Sequence, residues 1–419
     1  MSKVLVSETV EMDKITRLRK VSDVTDEYDL NGEYVNLTPL IDSGANYIIA
    51  FSGRSDGKTT SALTYGLKYY KDTGKKIGII RRFADEMVGS AGENLFSGVV
   101  GLNRIREIFG DEGEIVIGKD GEEKELPPFD RVVKYGERWF LGRYDEENGK
   151  DLRDKNPFAY GFALNTELRY KSANWEDIGF ILFDEFITRQ GYLRNEADTL
   201  LSMISTIVRD KDGIPVVLCG NVLNKYNPYF EAFDIKEAKD IGKGEVYLFE
   251  TWDTYKNDSQ TVYSKKLVYY SDKNIIKKGK DSDSYFFGLN TKSALMTTKG
   301  EWEMEKYPEA PVEVNMHNIK RRFTLEFDGE LVEGLIVKGE SGAFLYFRKC
   351  YKLPDDVING KQCLYSLKPT NNRNVYYNLY NGHPKMSWVG KLLTENRVFY
   401  ESDDVGELVM NYLQEMRNI

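Results

Sequence analysis

Residues Tyr47 to Thr60 read YIIAFSGRSDGKTT, an apolar run that breaks into a loop ending Gly57-Lys58-Thr59. Such a loop turns its backbone N–H groups inward around phosphate oxygens, and the helix after it adds a positive N-terminal dipole. Lys58 would reach the β- and γ-phosphates and Thr59 would ligate Mg²⁺, with Ser52, Gly53, Arg54, Ser55, Asp56, Gly57 and Thr60 completing the cradle. Ser52 stands where the pattern G-x-x-x-x-G-K-[ST] has its first Gly, and Gly53 follows directly. The context repairs the mismatch: Tyr47 to Phe51 predicts a buried strand, and Leu63, Leu67 and Tyr70 predict a helix over Thr59 to Lys71. These residues point to nucleotide hydrolysis.

A second segment, Gly179 to Phe186 (GFILFDEF), is an apolar run ending in two carboxylates. Asp184 would hold Mg²⁺ through water, and Glu185 would polarise an attacking water as general base. Many strands end in Asp-Glu at a solvated turn, so the segment is weak alone. In order after a P-loop it argues for a Mg²⁺-dependent ATPase with a glutamate base. Asn221 ends the next strand run, PVVLCGN, where a polar sensor of the γ-phosphate or attacking water would sit; a turn or helix cap fits it equally well. Arg209, at the end of the preceding helix, is placed to reach a neighbouring subunit, and Arg54 is a competing candidate in cis. Plain salt bridges would account for either arginine as well.

The elements that must carry these residues alternate between strand and helix. Strands are expected at Lys75 to Phe83, Phe158 to Leu164, Pro215 to Asn221 and Gly244 to Thr251, and helices at Asn94 to Phe109 and Glu196 to Val208. Hairpins are expected between Gly113 and Tyr144. This rhythm implies a parallel α/β sheet of the RecA-like, additional-strand P-loop type. It divides the chain into an ATPase domain at 1–252, with an N-terminal extension at 1–40; a linker subdomain at 253–312, with a helix near Ser259 to Tyr270; and an α+β domain at 313–419. The last contains a hairpin around Asp328-Gly329, strand runs at Ala343 to Lys349, Gln362 to Ser366 and Val375 to Tyr380, and a closing amphipathic helix from Asp403.

Composition bounds the function classes. At 419 residues, 41% hydrophobic, the chain can bury more than one core. Cys219, Cys350 and Cys363, with only His317 and His383 beside them, exclude a disulfide framework and an obvious zinc site. No apolar run is long enough for a membrane helix and the beginning lacks the apolar core of a signal peptide, so a soluble protein without a membrane partner is expected. A net charge of −9 argues against nucleic-acid binding over the whole surface. Local basic stretches remain at Lys265 to Lys280 and at Lys320, Arg321 and Arg322, which are solvated faces or contact surfaces.

The run GRSDGKT, IIRRF, FILFDEF, NEADTLLSMISTIVRD, VVLCGN and NPYF resembles the DNA-packaging ATPase of small short-tailed phages, the Picovirinae type, in order and spacing as far as Phe230. The resemblance implies a homopentameric ring that binds ATP and Mg²⁺ and drives double-stranded DNA into a procapsid. It would work in the host cytoplasm, bound transiently at the portal (connector) vertex, and some members also dock on a structural RNA. It further implies that Arg209 acts in trans as an arginine finger, and that Lys171, thirteen residues before Asp184, reaches across the same boundary. The C-terminal domain of the family resembles a vestigial RNase H-like nuclease that has lost its catalytic carboxylates. The competing readings are a terminase with an active C-terminal nuclease, another ring ATPase such as a helicase, and a non-enzymatic assembly protein. Intact Lys58, Thr59, Asp184 and Glu185 speak against the last.

Overall fold

The computed structural model describes residues 3–6, 13–21, 34–53, 56–117, 123–146, 148–171, 173–188, 192–209, 211–222, 226–254, 261–272, 306–340, 342–368, 375–376, 378–380 and 386–417. They cluster into two compact units: Met1–Thr188 with Asn195–Val222 and Ala232–Glu301, and Arg189–Arg194 with Leu223–Glu231 and Trp302–Ile419.

In the first unit the strands are β1 (Lys3–Val6), β2 (Asp13–Val21), β3 (Tyr47–Ser52), β4 (Lys76–Arg81), β5 (Glu114–Ile117), β6 (Glu123–Leu126), β7 (Arg131–Tyr135), β8 (Arg138–Asp145), β9 (Lys150–Arg153), β10 (Ala159–Ala163), β11 (Ile178–Asp184), β12 (Val216–Asn221), β13 (Val246–Thr254) and β14 (Thr261–Tyr270). All but β5 and β6, which form a hairpin, join one sheet of order β1-β2-β13-β14-β3-β12-β11-β4-β10-β8-β7, with β9 beside β8. From β14 to β10 the pairings are parallel. Every residue of β11 is buried, and β3 and β12 are buried at all but one end residue. Strands covered on both faces must be apolar throughout rather than alternating, which is why these runs were readable. β12 lies between the P-loop strand β3 and the carboxylate strand β11, the additional-strand order expected of the sheet.

Two expectations fail here. The helix expected over Ser259 to Tyr270 is β14, whose buried Leu267, Val268, Tyr269 and Tyr270 suit a strand enclosed between β3 and β13. The sheet therefore continues beyond residue 252. The single helix expected over Asn94 to Phe109 is broken into Asn94–Phe96, Ser97–Gly101 and Arg104–Phe109, because Asn103 takes φ 58° and two glycines precede it.

The second unit holds β15 (Ile319–Phe327), β16 (Glu330–Gly339), β17 (Gly342–Cys350), β18 (Cys363–Ser366), β19 (Val375–Tyr376) and β20 (Val398–Tyr400), in the order β19-β18-β15-β16-β17-β20. β15 to β17 form an antiparallel meander, and β18 adds to β15 in parallel. Asp328 and Gly329 turn the first hairpin with φ 53° and 74°, the positive pair that a tight two-residue turn requires. The Ser387–Thr394 and Asp403–Arg417 helices put Val389, Leu392, Leu408 and Tyr412 into one core with Phe323, Phe347 and Tyr365.

The P-loop helix (Lys58–Thr73) seats on the sheet at Gly66, where an added Cβ would lie 2.7 Å from Ile77 Cδ1 and 3.1 Å from Phe180 Cδ1. Gly66→Val would force helix and sheet apart and should cost about 1–3 kcal/mol, as overpacked core positions do. Urea midpoints of the two proteins measure it; equal midpoints would mean the helix has room to lift.

Candidate functional site

A cleft of about 1060 Å³ opens at the ends of β11 and β12, where Asp184, Cys219, Gly220 and Asn221 line it together with the loop and helix that follow β3. Register sets who meets whom: Asn221 lies opposite Ser52, and Asp184 opposite Cys219. Gly57 takes φ 86° at the turn into the helix and lies against Tyr34, 3.2 Å separating an added Cβ from Tyr34 Cδ1. Only glycine meets both demands.

Lys58 folds back beneath its loop. Its ammonium donates to Ser52 Oγ at 2.6 Å, the Gly53 carbonyl at 2.9 Å and Asn221 Oδ1 at 3.4 Å. Burial pushes its pKa down, while Asp56 and Asp184 oppose the shift. Thr59 Oγ1 donates to Asp184 Oδ1 at 2.7 Å. Arg81, at the end of β4, pairs with Asp184 at 2.8 Å and with Glu185 at 3.0 Å. Glu185 takes φ 62°, an uncommon conformation for its type, and its side chain is 59% exposed.

Of the expected residues, Asp56, Gly57, Lys58, Thr59, Thr60, Asp184, Glu185 and Asn221 line this cleft. Ser52 and Gly53 reach it through Lys58. Arg54 and Ser55 lie outside the described residues. Lys171 and Arg209 do not line it: Lys171 is half-exposed and pairs with Glu167 at 3.0 Å, and Arg209 is exposed where the Glu196–Val208 helix ends. The structure adds residues that motif reasoning passed over. Arg81 was visible only as a cation closing a strand run. Tyr34, Asn36 and Thr38 from the N-terminal extension, and Leu102 and Arg104 from the broken helix, line the remaining wall and carry no motif at all.

Asp56 is buried, and that burial pushes its carboxyl up to about 6, against the Ser52 hydroxyl and Lys58, with Lys243 and Asp272 also near. A raised carboxyl pKa means the folded chain favours the protonated form. Its stabilisation is complete below the unfolded value of about 4 and is lost as pH rises through about 6. Asp56→Asn should therefore flatten the fall in stability across that window by on the order of 2 kcal/mol. Denaturant midpoints of both proteins at about pH 4 and about pH 7 test this; parallel pH dependences would place the ionised carboxylate in solvent.

Residues 148–251 match the family described as Podovirus DNA encapsidation protein (Gp16). The DNA packaging protein of Bacillus phage phi29 is 26% identical over 143 residues, covering 28% of this chain and 42% of the relative. That of Bacillus phage B103 is 28% identical over 144 residues, covering 28% and 44%. The matched segment thus spans less than half the length of these relatives. The fold match is longer: the Phi-28 gp11 DNA packaging motor superposes with a TM-score of 0.53 at 17% identity, over 92% of this chain and 99% of the other. The bacteriophage Phi-29 viral genome packaging motor assembly gives 0.51 at 14% identity, over 92% and 100%. In a local stretch of sequence the chain is similar to the Podovirus DNA encapsidation proteins (Gp16), and in fold, over most of its length, it is similar to the packaging motors.

Proposed function

We propose that this protein hydrolyses ATP to move double-stranded DNA into a viral procapsid. The observation that carries the reading is the convergence of Lys58, Thr59, Asp184, Glu185 and Asn221 on one cleft at the ends of adjacent parallel strands. Open α/β sheets bind ligands there.

Each residue has a part in that chemistry. The inward loop and the helix N-terminus receive the phosphates, with Lys58 countering the charge on the β- and γ-oxygens. Thr59 Oγ1 and Asp184 Oδ1, 2.7 Å apart, are hard oxygen donors of the kind Mg²⁺ takes while keeping several waters. When bound, that ion would neutralise charge building on the phosphate oxygens. Glu185 accepts a proton from the attacking water as its base, and Asn221 orients the γ-phosphate from the opposite strand. Arg209 and Lys171, exposed and outside their own cleft, serve the cleft of a neighbouring subunit in a homopentameric ring. Arg54 remains a candidate for the same duty in cis.

DNA would be held by its phosphates without reading of bases, which suits a processive motor. The ring would stand at the portal vertex in the host cytoplasm, with a structural RNA as a further partner. The second unit's strand order, a three-stranded meander with a fourth strand parallel to its first, supports a ribonuclease H-like reading. At the end of that parallel pair Glu326 faces Ser366, which donates to it at 2.5 Å. A second carboxylate there would favour metal-dependent cleavage; the serine favours a domain that binds without cutting.

Glu185→Gln should bind ATP yet lower turnover by about a hundredfold or more, the scale of removing a general base, whereas Lys58→Ala should lose turnover and binding together. Fluorescent-nucleotide titration beside phosphate release separates the two, and normal turnover in Glu185→Gln would remove it as the base. Arg209→Ala mixed into wild-type protein should depress DNA-stimulated turnover more steeply than its mole fraction. A straight line would put the arginine in cis.

A further inference from the structure

Directly beside the carboxylate turn, and outside the cleft lining, lies a buried ion pair that the chemistry above does not use. Arg82 and Glu196 are 4% and 1% exposed. Arg82 Nε lies 3.0 and 2.9 Å from the two Glu196 carboxylate oxygens. Its Nη1 donates to the Glu185 carbonyl at 3.2 Å and its Nη2 to the Phe186 carbonyl at 2.9 Å. One guanidinium thus satisfies the two backbone acceptors that follow Asp184 and the first residue of the Glu196–Val208 helix. Both carbonyls turn inward because Glu185 takes its left-handed conformation, and the same turn sends the Glu185 side chain out toward the cleft.

We infer that Arg82 and Glu196 are positioning residues: they hold the backbone turn that aims Glu185, and they fix the helix ending at Arg209 to that turn. The inference rests on the ATPase reading and deepens it, because it ties the base of one site to the cation offered to the next. Three features support it. A left-handed glutamate returns to ordinary backbone angles unless its surroundings over-determine it, and Arg82 supplies that constraint through the carbonyl on the far side of the strained residue. Lysine cannot replace the planar fork, since one ammonium does not span two carbonyls and a carboxylate in these directions. The carboxylate of Glu196 sits in the first turn of a 13-residue helix, where the dipole favours it. That helix is a rigid rod of about 20 Å. Its beginning is clamped to Glu185 and its end presents Arg209, so a change at the carboxylate turn has a stiff path to the exposed arginine.

The test uses the full chain carrying Arg82→Lys, Arg82→Ala, Glu196→Gln, and Arg82→Ala with Glu196→Gln. ATP binding, kcat, KM and the urea midpoint are measured for each. Glu196→Gln conserves volume and leaves the nucleotide-facing residues untouched, so it decides the question should the arginine variants fail to fold. The expected result is a fall in kcat of about tenfold for Glu196→Gln and about a hundredfold for the arginine variants, with ATP affinity within about threefold of wild type. The double variant should be no slower than Arg82→Ala, as befits residues acting as one unit. Glu196→Gln mixed into wild type should depress turnover more steeply than its mole fraction, the outcome also expected of Arg209→Ala. Wild-type kcat in a folded Glu196→Gln, or equal losses of affinity and kcat, would overturn the inference; a linear mixing curve would remove the link to Arg209. Absence of turnover in the wild-type protein itself would instead overturn the ATPase reading.

Discussion

Burying the Lys58 ammonium removes it from water, and fixed oxygens must replace that hydration: the Ser52 hydroxyl, the Gly53 carbonyl and the Asn221 amide oxygen do so from two adjacent strands and the loop between strand and helix. The rest of the cleft is arranged around that arrangement. Asn221 can reach Lys58 because it pairs in register with Ser52, and it pairs there because β12 runs parallel to β3. A slip of one residue would turn Asn221 to the other face of the sheet. The replacement of the loop's first glycine by Ser52 is intelligible on the same ground, since the serine hydroxyl is the shortest contact the ammonium makes.

The carboxylates on the neighbouring strand pose the opposite problem. Asp184 and Glu185 are adjacent in sequence and both line the cleft, so their mutual repulsion needs a local cation. Arg81 supplies it from the end of β4, bridging the two with one planar group. A lysine would satisfy one carboxylate at a time. The cleft therefore separates its duties by strand: β3 and β12 manage the ammonium, β11 and β4 manage the acids, and Thr59 joins the halves through Asp184.

How far this was legible follows from how local each signal is. Lys58, Thr59, Asp184 and Glu185 announce themselves because the loop and the strand end are contiguous in sequence, and buried parallel strands read as unbroken apolar runs. Asn221 needed only the count of strands. Arg81 and Arg82 stood in plain view as IIRRF, yet nothing in one sequence says that β4 lies beside β11, so their partners were hidden. Tyr34, Asn36, Leu102 and Arg104 were hidden for a different reason: they converge only through a helix broken at Asn103 and an extension folded back over the loop, neither of which leaves a periodic pattern. The strand Thr261–Tyr270 was misread as a helix because two lysines interrupt its apolar alternation, while its enclosure between β3 and β13 is a long-range fact.

The charge inventory of the cleft bears on the proposal that exposed cations outside it take part in the reaction. A triphosphate brings several negative charges, and the γ-phosphoryl oxygens gain more as transfer proceeds. In the proposed reaction Lys58 would meet part of this and a divalent cation held by Thr59 and Asp184 would meet more, while Arg81 is already engaged by the two carboxylates and Arg104 by Glu107. No further lysine or arginine lines the described cleft. Among the described residues, little uncommitted positive charge is left where the proposed reaction would develop negative charge, and Arg54 lies outside those residues. Lys171 and Arg209 are cations held at the surface, one steadied by Glu167 and the other at the end of a clamped helix. In the proposed ring, a neighbour's surface brought to the cleft mouth would supply further positive charge when subunits meet, and would so couple subunit contact to catalysis.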